Sequence, residues 1–81
     1  MRKVGIIGFG RFGEVLADIL SVDYEVVISE PRDVRSKYQN ISFSEVVRCE
    51  IIFVAVPIRE FELVVKSLSK YNLENITIID V

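Results

Sequence analysis

Eighty-one residues, 51% of them hydrophobic and 27% charged, make room for one small domain. Ten Lys and Arg against twelve Asp and Glu give a formal net charge of −2, and the basic residues form no run. That excludes the clustered basic face of a nucleic-acid binder. One cysteine and no histidine exclude an intrachain disulfide, a zinc finger and histidine-based catalysis. The longest apolar runs, Val4–Gly10 and Ile51–Ile58, fall far short of the roughly 20 residues needed to cross a bilayer. Arg11 interrupts the first run and no small-residue cleavage site follows it, so no leader peptide is expected and the cytoplasm is the expected compartment. Neither a membrane nor nucleic acid is an expected partner.

Lys3-Val4-Gly5-Ile6-Ile7-Gly8 is an apolar run that opens directly into glycines, as a strand buried on both faces does. From Phe12 to Leu20, apolar residues at 12, 15, 16, 19 and 20 have helical spacing, with Glu14 and Asp18 left for solvent. Glu25–Ser29 reads as a second buried strand, stopped at Pro31. Arg32–Asn40 is polar and short, and no helix is assigned to it. Ile41-Ser42-Phe43 is the expected third strand, and Ser44–Arg48 a single helical turn capped by the Ser44 hydroxyl. Ile51–Val56 is the clearest strand, closed by Pro57. Arg59–Lys70 follows as an amphipathic helix with Phe61, Val64, Val65 and Leu68 on one face, and Ile76–Ile79 begins a last strand.

Strands alternating with crossover helices describe an α/β fold with a parallel sheet. Right-handed connections with the usual switch after the second or third strand give the order 3-2-1-4-5, a Rossmann-like sheet left incomplete at its C-terminal edge. Such an edge invites pairing with another chain, so self-association through residues 76–81, or the face they leave uncovered, is expected. A homo-oligomer follows from that expectation.

Gly8-Phe9-Gly10-Arg11-Phe12-Gly13 matches G-x-G-x-x-G between a predicted strand and a predicted helix, the context that gives the hexamer meaning. Gly8 suits a tight turn, Gly10 a close approach of backbone to a pyrophosphate, and Gly13 close packing of helix on strand. The phosphates then meet the unpaired amides at the start of the helix. The bland alternative is a tight turn that binds nothing.

Glu30 stands 17 residues past Gly13 at the tip of the second strand, near the spacing of about 20 for a ribose-binding acid. A carboxylate there accepts from both ribose hydroxyls and repels a 2′-phosphate, favouring NAD over NADP. Arg32 and Arg35 follow at once, and an arginine nearby is what accommodates that phosphate, so NADP stays possible. Val56 and Pro57 end the fourth strand beside the same crevice, where Val56 and Ile58 suit an apolar shelf; a plain strand stop is the compatible alternative. Cys49 has no partner base and reads as a buried hydrophobe. Phe12, Phe43, Phe53 and Phe61 are expected in the core, and Asp80 is expected to end the last strand on the cofactor side.

The run Val4–Gly13 with its Gly-Phe-Gly-Arg-Phe-Gly turn, the Ala55-Val56-Pro57 strand end and Ile78-Ile79-Asp80-Val81 together resemble the cofactor domain of prephenate and arogenate dehydrogenases. The resemblance implies an NAD(P)-dependent oxidative decarboxylation in tyrosine biosynthesis. Gly8, Gly10, Arg11, Phe12 and Gly13 carry over as pyrophosphate contacts, with Phe9 in the same turn, and Glu30 as the ribose residue. The family's catalytic histidine has no counterpart in this histidine-free chain. The expectation is therefore a dinucleotide-binding domain over residues 1–81, part of a longer dehydrogenase, that holds a cofactor but not a substrate. Two readings compete with it: a nucleotide-sensing module of the kind that regulates transporters, and an oligomerisation fragment that binds nothing.

Overall fold

In the computed structural model, which describes residues 1–81, five strands run parallel in one sheet. They are β1 (Lys3–Ile7), β2 (Glu25–Ser29), β3 (Gln39–Asn40), β4 (Ile51–Val54) and β5 (Thr77–Asp80), in the order β3-β2-β1-β4-β5. The expected order 3-2-1-4-5 is the one found. Helix α1 (Arg11–Leu20) links β1 to β2, α2 (Phe43–Val46) precedes β4, and α3 (Ile58–Leu68) links β4 to β5. No helix is long and apolar enough to cross a membrane.

The sheet explains why β1, β2 and β4 read as continuous apolar runs. Val4, Ile6, Val26 and Ile28 point to the side of α1, where they join Ala17 and Phe9. Ile7, Val27, Ile52 and Val54 point to the opposite side and join Val46, Val47, Cys49 and Leu68. Register matches Val4 to both Val26 and Ile51, and Ile6 to both Ile28 and Phe53, so like faces align across three strands. Strands covered on both faces have no reason to alternate with polar residues. Gly5 lies under α2: a Cβ on it would stand 2.5 Å from Val46 Cγ2 and 3.2 Å from Cys49 Sγ. The missing side chain seats the short helix on the central strand.

Three local expectations need correction. The third strand is Gln39–Asn40, not Ile41–Phe43. Asn40 is pinned from its side chain: it accepts the Glu30 amide at 3.0 Å and donates to the Glu30 carbonyl at 2.9 Å. Ile41 gives one more bond to the Ile28 carbonyl, and the chain then turns. That turn begins helix α2 at Phe43, capped by Ser42 rather than Ser44. Glu45 stands three residues after Ser42, so the two exchange side-chain and backbone hydrogen bonds in a capping box that Ser44, with Val47 in that place, has no means to form.

The third correction concerns helix faces. α1 sits on the sheet through Gly13 and Ala17, with Leu16 and Leu20 half-buried. Phe12, Val15 and Ile19, expected inside, are 57%, 54% and 63% exposed. Apolar residues wrap more of this helix than the sheet covers, and the small pair Gly13/Ala17 is what allows close approach. In α3, Leu68 is buried and Phe61 and Val64 are half-buried, but Val65 is exposed. Phe43 and Phe53 are half-buried. Strand β5 bonds to β4 alone and leaves Ile78 and Val81 partly exposed.

The fit between β1 and α2 gives a direct check. Gly5→Ala is expected to destabilise the fold by about 1–3 kcal/mol through overpacking against Val46. Combined with Val46→Ala, which opens that space, the double variant should lose less than the sum of the two, as read by urea unfolding. Strict additivity would contradict the contact.

Candidate functional site

The carboxyl end of the sheet is organised by the turn that leaves β1. Gly8 has φ +99°, in the left-handed region where glycine alone is at ease, and its amide donates to the Ser29 carbonyl at 3.0 Å. A Cβ on Gly8 would lie 2.4 Å from the Ala55 carbonyl oxygen, so β4 closes against it. Gly13 does the same from the other side: its Cβ would fall 2.7 Å from the Gly8 carbonyl oxygen. Two glycines therefore draw strand, helix and neighbouring strand together.

Gly10 behaves differently. Its backbone is extended (φ −78°, ψ −164°), and a Cβ there would meet nothing within 4 Å. No side chain caps α1 at this residue. The first-turn amides of a helix have no partner inside the helix, and here they open beside empty space at the positive end of the dipole. The turn thus offers amide donors and the room that a bulky anion needs.

Two cavities flank the turn. The larger, about 760 Å³, runs from Gly8–Gly10 past Glu30–Arg32 and Ile41–Phe43 to one flank of α3. The smaller, about 450 Å³, lies against Gly10–Gly13 and reaches Val81. Gly10 and the Ala55-Val56-Pro57 segment line both. All ten expected site residues meet here: Gly8, Phe9, Glu30 and Arg32 in the larger cavity, Arg11, Phe12 and Gly13 in the smaller, and Gly10, Val56 and Pro57 in both. Ile58, expected on the apolar shelf, is 93% exposed and lines neither, because α3 begins at that residue and turns it outward. Arg35 and Asp80 are also exposed and line neither cavity.

Glu30 is the most constrained polar group of the site, with a side chain only 6% exposed. Oε1 accepts from the Phe9 amide at 2.9 Å and from Arg32 Nη2 at 3.0 Å. Oε2 accepts from the Arg32 amide at 3.1 Å and from Arg32 Nε at 3.0 Å. The Arg32 side chain foremost, with the Phe9 amide behind it, holds the carboxyl down at about 2 despite burial, which acts the other way. Glu30 is ionised at any physiological pH. Asn40 fixes the backbone of the same residue from β3.

One wall of the larger cavity was not expected from the sequence. Glu60, Leu63, Val64 and Ser67 of α3 face the larger cavity, with Arg59 beside them. Their spacing of i, i+3, i+4 and i+7 marks one flank of a helix, and that mixed polar and apolar stripe was the signal available. No cluster of His, Cys, Asp and Glu is placed to hold a metal ion. Cys49 is buried away from the cavities with its thiol pushed up by that burial, and serves packing.

A family model described as "NADP oxidoreductase coenzyme F420-dependent" matches residues 3–81. A glycerol-3-phosphate dehydrogenase [NAD(P)+] of Sulfurimonas denitrificans is 35% identical over 74 residues, covering 89% of this chain. The aligned stretch is 24% of that relative's own length. No solved structure matches the chain significantly.

The carboxyl of Glu30 sets an acid-range expectation. Its value in the folded chain, about 2, lies below its ordinary 4.5, so it contributes stability that is complete above about pH 4.5. That contribution is lost as pH falls from there towards 2. Glu30→Gln should remove this part of the pH dependence, so that its unfolding midpoint changes less than wild type between pH 5 and 2.5 when followed by circular dichroism. Parallel curves for the two proteins would contradict the buried, donor-saturated carboxylate.

Proposed function

The chain belongs to the family of NADP oxidoreductases, coenzyme F420-dependent, and on that premise we propose that it is the cofactor-holding part of an NAD(P)-dependent dehydrogenase. The observation that carries the reading is the open space at Gly10, which joins two cavities at an uncapped helix start. A dinucleotide has that shape: two nucleoside halves joined by a pyrophosphate. In this reading the pyrophosphate lies over Gly10 against the first-turn amides of Arg11, Phe12 and Gly13. The adenosine half takes the larger cavity, with its ribose at Glu30 and its base between Pro31 and the Leu63–Val64 flank of α3. The nicotinamide half takes the smaller cavity, and Val56 and Pro57 form an apolar wall common to both. When bound, the nicotinamide ring supplies the hydride chemistry, and the protein orients it.

NAD(P) as cofactor and oxidoreductase as class follow from the family and from the NAD(P)+-dependent relative. They favour a dehydrogenase over the regulatory-module and non-binding readings. The substrate is a narrower proposal. Prephenate or arogenate rests on the resemblance of the Gly8–Gly13 turn and the Ala55-Val56-Pro57 strand end. Glycerol 3-phosphate enters through the name of the relative. Because the aligned stretch is about a quarter of that relative, we propose that substrate-holding groups belong to a longer protein of which these residues are the cofactor domain. The partly exposed apolar residues Phe12, Val15, Ile19, Ile78 and Val81 support self-association of this chain when alone. Sedimentation should then show a concentration-dependent mass; one monomeric species across the whole range would exclude it.

Gly10→Ala separates binding from folding. Its unfolding free energy should fall by no more than about 1 kcal/mol, the cost of alanine in place of glycine at a helix N-cap, since the new methyl meets nothing. Dinucleotide affinity should fall at least about tenfold, because the methyl occupies the space of the pyrophosphate and weakens its charge-assisted bonds to the amides. Undiminished binding of NAD by this variant would sink the proposed placement.

A further inference from the structure

The connection from β2 to β3, residues 30–38, contains no helix. The cover that a crossover helix would give this part of the sheet comes instead from Val34 and Tyr38, which pack on the cluster that holds Phe9. Tyr38 does more than fill space. Its ring meets the Phe9 ring edge-on, with centroids 6.3 Å apart and planes at 69°. Its hydroxyl donates to Asp18 Oδ1 of α1 at 2.5 Å and lies 3.4 Å from Ser21 Oγ. That first bond, foremost, holds the Asp18 carboxyl below its ordinary range, so the acceptor is charged at neutral pH. The Lys37 ammonium stands 3.6 Å from the same carboxylate and 5.5 Å from the Tyr38 ring centroid. The Ser36 hydroxyl accepts from the Tyr38 amide at 2.9 Å, which fixes the backbone the ring projects from. The residue is gripped at hydroxyl, ring edge and backbone.

Phe9 stands between Gly8 and Gly10, neither of which has a side chain to seat the turn. Its ring, 7% exposed, is the anchor of that turn in the core on the α1 side. We propose that Tyr38 is a positioning residue for the dinucleotide site: braced on Asp18, it holds the Phe9 ring, and through it keeps the Phe9 amide on Glu30 and the turn at Gly10 set to receive the pyrophosphate. This rests on the cofactor placement proposed above. Tyr38 lines neither cavity, so in that placement it touches no part of the ligand and acts through Phe9 alone. Without the brace, the 30–38 segment and the turn are free to part. Binding must then gather them again, and the cost of that ordering lowers affinity.

The test compares the whole chain with Tyr38→Phe, which loses only the hydroxyl, with Asp18→Ala, which loses its acceptor, and with the double variant. Calorimetric titration with NAD+ reads affinity, and amide hydrogen exchange without nucleotide reads the turn. Each single variant should bind NAD+ about 3- to 10-fold more weakly, the scale of one hydrogen bond. The double variant should lose no more than either single one, because both remove the same bond. Asp18→Asn, which keeps an oxygen for the hydroxyl, should recover most of what Asp18→Ala loses. In Tyr38→Phe the Phe9 amide should lose protection ahead of the amides of Ile6 and Ile28, which report the sheet. A tyrosine that merely stabilises the fold would lower protection at all three alike and leave affinity unchanged. If wild type binds NAD+ and Tyr38→Phe binds it equally well, or the two losses add in the double variant, the brace is overturned while the cofactor reading stands. Wild type without affinity for NAD+ overturns both.

Discussion

The carboxyl end of this molecule is built on a side chain that is absent. At Gly8 the backbone takes a left-handed φ, donates to Ser29 of β2, and lies against the Ala55 carbonyl beyond β4 and Gly13 of α1. Three elements converge where any Cβ would stand 2.4 Å from a carbonyl oxygen. Where they converge, α1 begins at an uncapped Gly10, which lines the same two cavities as the Ala55-Val56-Pro57 segment after β4. The same convergence brings the Phe9 amide to the carboxylate of Glu30 at the end of β2. A residue larger than hydrogen at this point would push the helix, the strand end and the acid apart at once.

From that constraint the division of the site follows. The space a Cβ would need at Gly8 and Gly13 is filled by neighbouring backbone, whereas at Gly10 it is open. The motif is one hexamer, but its glycines answer to different forces. The cavities on either side of Gly10 differ as well. One carries the ionised, buried Glu30 and the polar flank of α3; the other is bounded by the glycine turn, Pro57 and Val81.

Much of this was legible in the residues. Strands β1, β2 and β4 were plain because burial on both faces leaves unbroken β-branched runs such as Val26-Val27-Ile28. The sheet order followed from handedness, and the glycine turn and Glu30 from spacing. What escaped depends on tertiary packing. The face α1 buries was hidden because apolar side chains surround most of it, and only the Gly13–Ala17 contact with the sheet decides. Strand β3 is two residues that pair with β2 and are pinned to the Glu30 backbone by the side chain of Asn40, bonds that no periodicity announces. The clasp of Arg32 on Glu30 also lay beyond reach, since adjacency in sequence says nothing of which lone pairs are taken.

The central claim is that a dinucleotide lies across Gly10 with its halves in the two cavities. The most direct measurement is a titration of uniformly 15N-labelled chain with NAD+, following every backbone amide by NMR. Shifts are expected to concentrate in Phe9–Gly13, Glu30–Arg32 and Ala55–Val56, with the largest at the first-turn amides of α1 proposed to receive the pyrophosphate. Unchanged amides in that turn, or shifts confined to one cavity, would contradict it.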